Sequence, residues 1–269
     1  GEDTTPDLLA ISVSSTDYAG HTFGINSWEY LDILLKADME LTAFVAEMEA
    51  KTSLSLVITS DHGGTPLAEQ SAAMGKSSGR VYADELVATL EKKADKALGK
   101  GNWLKTYIQP YLYLHEDART SKKRDALAAL ISAHAEADPK VEAIYSAADA
   151  KTWREDENWL KRDVANTVAP PTEAFFVVPA KGHVASPQKG TLGTGHGTPW
   201  DSDREVPLLA LGVGVSKVQG KEVVKQDRVA ATIASLLGLQ WHLVAQPVPG
   251  ITKQPAAVKA KTPTTEEAK

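Results

Sequence analysis

Apolar and polar positions change period several times along the chain. Leu8 to Ser15, LLAISVSS, is a short continuous apolar run ending in small polar residues, and at that length it predicts a buried strand. From about Ser27 to Lys51 the period becomes helical, with Leu34, Ala37, Leu41, Phe44, Val45 and Met48 on one face and Asn26 or Ser27 placed to cap. Leu54 to Ser60, LSLVITS, predicts a second strand. Strand, helix, strand predicts a βαβ unit and so a parallel sheet. Beyond it, helices are expected over about Tyr82 to Leu98 and Ser121 to Glu136, with a strand, TYIQPYLYLH, from Thr106 to His115. Glu173 to Pro179 and Val206 to Val215 predict further buried strands, and Asp227 to Leu237 a helix. The expected class is α/β: a mostly parallel sheet flanked by helices, with a partly helical insertion. Residues 1–64 and 173–250 are expected to form two parts of the core, 65–172 an insertion or cap, and 251–269 a low-complexity tail of Pro, Lys, Thr and Ala.

Composition narrows the chemistry. With 269 residues and 42% hydrophobic content the chain can bury a sizeable core. A net charge of −6 carries no basic nucleic-acid footprint. The absence of cysteine removes disulfides, thiolate metal sites and cysteine nucleophiles. No apolar run approaches the roughly 20 residues of a membrane span. No signal peptide opens the chain, and GEDTTPD, lacking Met, reads as a loop leading into a strand. The chain is therefore expected to begin inside something longer.

Three clusters carry the candidate chemistry. Asp17 and His21 are spaced D-x-x-x-H in an expected loop with Gly20 and Gly24. Asp61 and His62 are adjacent and followed by Gly63 and Gly64. His196 sits between glycines in GTGHGTPW. Two of the clusters directly follow expected strands, at the sheet edge where open parallel sheets bind ligands. Carboxylate oxygen and imidazole nitrogen are the ligands zinc takes when thiolate is missing. Glycine beside them lets the backbone come close.

TDYAGH, TSDHGG and GTGHGTP, in this order, resemble the metal-ligand motifs of the alkaline phosphatase superfamily, in its nucleotide pyrophosphatase/phosphodiesterase-like branch, which includes bacterial alkaline phosphatases. HGTPWDSDREVPLLALG and DRVAATIASLLGL resemble the strand entry and closing helix of that branch. The resemblance covers Pro6 to about Gly250 and is weakest in the insertion. It implies an alkaline phosphatase-like core, two zinc ions about 4 Å apart, and zinc-dependent hydrolysis of phosphate esters. Carried over by motif, Asp17, His21 and His196 would hold one zinc, and Asp61 and His62 the other. The family's remaining aspartate and its Ser or Thr nucleophile come from an earlier part of the chain, so none of the residues here is assigned as nucleophile. The chain thus resembles a C-terminal portion whose partner is the N-terminal segment of the same protein. Alone it is expected to be inactive and to hold one zinc. The resemblance also implies a periplasmic or secreted location, and the DYAGHTFG loop leans toward a phosphate monoester over a diester.

The alternatives are a sulfatase-like or mutase-like hydrolase, and a non-catalytic metal-binding or interaction module of the same fold. Three histidines among five ligands argue against calcium, which prefers oxygen. Among other polar residues, His183 is expected at the surface, and Lys181 solvated. His134 is expected at a core edge, in line with Leu127, Leu130 and Ile131. His115 and His242 carry no partner pattern. Trp153, Trp159 and Trp241 are expected to pack. Asp201 and Asp203 could orient a ligand histidine from behind or simply form a turn.

Overall fold

The computed structural model describes residues 5–167, 173–217, 220, 222–239 and 245–252. In chain order the elements are α1 (Ser14–Phe23), α2 (Trp28–Glu49), β1 (Ser55–Thr59), α3 (Ala68–Ala73), β2 (Gly79–Tyr82), α4 (Ala83–Leu98), β3 (Leu104–Ile108), β4 (Tyr111–Leu114), α5 (Glu116–Arg119) and α6 (Arg124–Ser132). They continue with β5 (Val141–Ser146), α7 (Ala147–Ala150), α8 (Trp159–Thr167), β6 (Ala174–Pro179), β7 (His183–Ser186), α9 (Asp201–Arg204), β8 (Leu208–Gly212) and α10 (Arg228–Leu236). The chain divides into two compact units: Gly1–Ser12, Met39–Ser60 and Pro207–Lys269 form one, Val13–Asp38 and Asp61–Val206 the other. The α/β class expected from the hydrophobic pattern is the class observed. The tail expected over 251–269 lies, beyond Thr252, outside the described residues, as do Trp241 and His242.

In the first unit β1 and β8 pair antiparallel, from Ser55 opposite Gly212 to Thr59 opposite Leu208. Helix α10 buries Ala231, Thr232 and Ala234. The Thr232 hydroxyl donates to Arg228 O and accepts the Val248 N–H (2.8 and 2.9 Å), which ties 245–252 to the helix. Two expectations fail here. No strand forms over 8–13: Leu8, Leu9 and Ile11 are exposed, and the chain turns helical at Ser14. A strand needs a neighbour's hydrogen bonds, and none of the described strands pairs with this run. The βαβ unit fails with it, because the partner of β1 is the antiparallel β8. The parallel pair among the described strands is β2 with β7.

The second unit is built on a four-stranded antiparallel sheet in the order β3-β4-β6-β5. Every residue of β6, AFFVVP, is buried, because the sheet is covered on both faces. Phe175 and Val177 pack with Leu86 and Leu90 of α4 and with Leu127 and Ile131 of α6. Phe176 and Val178 pack with Ala147 of α7 and with Leu160 and Val164 of α8. Each fully buried Leu or Ile in this core contributes about 1.5–3 kcal/mol. The single strand expected over 106–115 is instead the hairpin β3–β4, which turns at Gln109 and Pro110. Proline has no N–H for a ladder and interrupts the run.

Candidate metal centre

All five expected ligands lie in the second unit. Asp17 and His21 are on helix α1, not in a loop. Their four-residue spacing places them one turn apart on the same face, with His21 Nε2 3.5 Å from Asp17 Oδ2. Gly24, at φ +87°, ends that helix and donates its N–H to Gly20 O at 2.9 Å. His62 Nε2 is 3.9 Å from Asp17 Oδ1 and 3.6 Å from Asp61 Oδ2. His196 Nε2 lies 3.9 Å from the same Asp17 oxygen, and its ring stacks on His62 with centroids 3.4 Å apart and planes 15° apart. Asp17, His62 and His196 each offer one ligand atom within 4.8 Å of the others. His21 stands next to this trio, its ring centroid 5.0 Å from that of His196. The Asp61 carboxylate is 88% exposed and forms the outer rim.

Hydrogen bonds behind the rings set their tautomers. His21 Nδ1 lies 2.8 Å from Thr194 O, and His62 Nδ1 2.8 Å from Gly63 O. A carbonyl only accepts, so both histidines carry a proton on Nδ1, which in the neutral ring leaves the lone pair on Nε2, the atom that faces Asp17. Burial, and then the neighbouring His62 and His21, hold the His196 imidazole below its ordinary value, against the opposing pull of Asp17 and Asp203. Three imidazoles with Nε2 turned toward one carboxylate are a fitting donor set for a divalent metal ion.

The loop carrying His196 is stitched to its surroundings. Thr194 N–H donates to His21 O (2.9 Å), Thr65 N–H to Gly195 O (3.1 Å), and the Thr194 hydroxyl to Thr65 O (2.6 Å). Gly193 sits at φ +85°, where a Cβ would overlap the His21 carbonyl oxygen. Arg80, buried on β2, donates through Nη2 to Gly193 O (2.7 Å) and through Nη1 to Ser186 Oγ (2.9 Å). It also grips both Glu69 oxygens at 2.6 and 2.8 Å. That grip holds the Glu69 carboxyl below the usual carboxylate range. Sequence reasoning missed Arg80 because nothing in SSGRVYAD marks it; its partner Gly193 is far away along the chain. Thr194 had a signal, since it lies inside GTGHGTP, whereas Thr65 falls one residue past TSDHGG.

The remaining polar residues sort by burial. His183, expected at the surface, is buried on β7, with its ring against Gly79 of the paired strand β2. Lys181 and Asp201 form an exposed pair 3.8 Å apart. Asp203, two residues on, is buried. His134 is buried beside Lys93, away from the cluster, as expected of a core-edge histidine. His115 caps α5. Trp153 packs edge-on against Tyr145, and Trp159 against Trp200.

Residues 2–197 match the family model for type I phosphodiesterase / nucleotide pyrophosphatase. Alkaline phosphatase PhoK of Sphingomonas sp is 25% identical over 253 residues, covering 89% of this chain and 45% of the relative. A protein named calcium-transporting ATPase of Myroides odoratus is 26% identical over 244 residues, 87% of this chain and 44% of the relative. Alkaline phosphatase PafA of Elizabethkingia meningoseptica is 24% identical over 249 residues, 90% and 44% respectively. The crystal structure of wild type alkaline phosphatase PafA matches with a TM-score of 0.76 at 22% identity, covering 89% of this chain and 46% of that one. The chain thus spans less than half the length of each of these relatives.

Proposed function

Because the chain belongs to the type I phosphodiesterase / nucleotide pyrophosphatase family, in the alkaline phosphatase superfamily, we propose that it is the metal-binding portion of a zinc-dependent hydrolase of phosphate esters. The observation that carries this reading is the convergence of His21, His62 and His196 Nε2 on the two Asp17 oxygens, at 3.5–3.9 Å. Three imidazoles and two carboxylates suit zinc better than calcium. Asp17, His21 and His196 hold one ion. Asp61 and His62 hold a second, whose further carboxylate, together with the Ser or Thr nucleophile, comes from an N-terminal segment of the complete protein. When bound, zinc supplies Lewis acidity to the phosphoryl oxygens.

The chain's own residues pre-arrange that chemistry. The Nδ1–H bonds of His21 and His62 fix ring direction and lone pair. The stitched Thr194–Gly195 loop holds His196 in place. Asp61, solvent-facing, stands where substrate and the second ion approach. On this reading the chain by itself is inactive, the complete enzyme is periplasmic or secreted, and a monoester is the favoured substrate. A non-catalytic module of the same fold is the outcome to exclude. In the full-length gene product, His196→Ala should lower kcat/KM for p-nitrophenyl phosphate by roughly a hundredfold or more, a loss of several kcal/mol of transition-state stabilisation. Unchanged turnover would overturn the assignment.

A further inference from the structure

We propose that Asp203 is a positioning residue: it clamps the loop that carries His62 to the loop that carries His196 and so sets the spacing of the two rings. This rests on the reading of those histidines as metal ligands, and assigns their registration to a residue outside the cluster. Asp203 is 3% exposed. Its carboxylate is met by hydroxyl and amide donors from both loops. Oδ1 accepts from the Thr65 hydroxyl (2.7 Å) and the Ser202 hydroxyl (3.1 Å). Oδ2 accepts from the Thr198 N–H (2.9 Å) and the Thr198 hydroxyl (2.7 Å). The Asp203 carbonyl also accepts the Gly63 N–H at 2.8 Å. One residue therefore grips Gly63 and Thr65, on either side of Gly64 just after His62, and Thr198, two residues beyond His196.

The fit is tight on the His62 side. A Cβ at Gly63 would overlap the Ser202 carbonyl oxygen, so the turn and α9 approach as closely as glycine allows. A buried carboxylate is costly unless its lone pairs are filled, and four donors on two oxygens fill them. Neighbouring Asp201, two residues closer to His196 in sequence, faces solvent and makes none of these bonds. A turn-forming role would account for the bonds from Ser202 and Thr198, but not for the bond accepted from Thr65, 138 positions away. The clamp accounts for the feature it would control: His62 and His196, 134 positions apart in the sequence, are stacked at 3.4 Å.

Two variants test this in the 269-residue chain. In Asp203→Asn, one oxygen becomes an NH2 group, which cannot accept from the Thr198 N–H or the threonine hydroxyls as now oriented. Thr65→Val removes a single clamp bond, keeps side-chain volume, and leaves the Thr65 backbone bonds to Gly195 and Thr194 in place. The first readout is the imidazole proton NMR shifts of the metal-free chain, which report ring stacking. Both variants should move the His62 and His196 signals together toward unstacked values while His115 stays put. The second is zinc affinity by chelator competition, expected to fall roughly 10–100-fold, as for other groups that orient ligands. Unmoved His62 and His196 signals in Thr65→Val, or zinc affinity equal to wild type in both variants, would overturn the clamp. If the wild-type chain takes up no zinc while the variants still unstack the rings, the clamp stands and the metal reading fails.

Discussion

His134 follows α6, and its Nδ1 lies 2.8 Å from Lys93 Nζ. An ammonium only donates, so Nδ1 is the acceptor and the ring proton sits on Nε2, 3.7 Å from Asp138 Oδ2. This is the opposite tautomer to His21 and His62. Burial, then Lys93, hold His134 below its ordinary value; Asp138 opposes and Lys140 adds to the depression. The folded state therefore resists protonation. The stability this arrangement contributes is complete above the unfolded imidazole pKa of about 6.5 and is lost as pH falls through the folded value. The melting temperature of His134→Gln should lie below wild type at pH 7.5, and the gap should narrow as pH drops from about 6.5 to 5. A gap that stays constant across that range would show that His134 does not titrate against Lys93. At this scale the sequence was partly legible. Glycines directly after His62 and on both sides of His196 separated these two from His134, which sits in an apolar helical repeat. Tautomers and the burial of His183 were not legible, because both depend on which distant backbone group meets the ring.

The helices α2, α4 and α10 form within a few residues of where the 3.6-residue period places them, and Ser27 caps α2 through its bond to the Tyr30 N–H (3.0 Å). Strands β1, β6 and β8 also fall on their apolar runs. What a run pairs with is not written in the run itself. LLAISV is more apolar than SLVIT, but the second meets a partner and the first meets none among the described strands. The helix α1 could have been found, since Asp17 and His21 at i and i+4 suit one face of a helix at least as well as a loop. Gly193 and Gly75 show how an element boundary supports the site. Both have positive φ, but Gly75 has open space around its Cβ position whereas Gly193 faces the His21 carbonyl. Gly75→Ala should cost only the left-handed backbone penalty of about 1–2 kcal/mol. Gly193→Ala should cost more in a denaturant melt and should also weaken zinc binding, because it pushes the Thr194 carbonyl away from His21. Equal costs with unaltered zinc affinity would contradict the packing described for that loop.

Across the whole chain, the α/β class could be read from hydrophobic period, and the three candidate clusters from their motif order. The five proposed ligand residues, spread from Asp17 to His196, come from three separate stretches of sequence and lie in one unit. The framework that brings them together was only partly legible: Asp203 could be flagged as an orienting residue from its place soon after His196, whereas Arg80 and Thr65 act through long-range bonds whose partners carry no local signature. In the first unit Leu8, Leu9, Ile11, Leu209, Leu211 and Val213 are exposed, an apolar content that complements the proposal of further N-terminal chain in the complete protein. No helix among the described residues is long and apolar enough to cross a membrane. The central claim is that Asp17, His21, Asp61, His62 and His196 bind divalent metal. Its most direct test is the zinc content of the purified chain, counted by mass spectrometry after zinc loading and gel filtration, beside that of a chain carrying Asp17→Asn and His196→Ala. The account predicts at least one zinc retained per wild-type chain and none in the double variant. No retained zinc in the wild type, or equal retention in both, would contradict it.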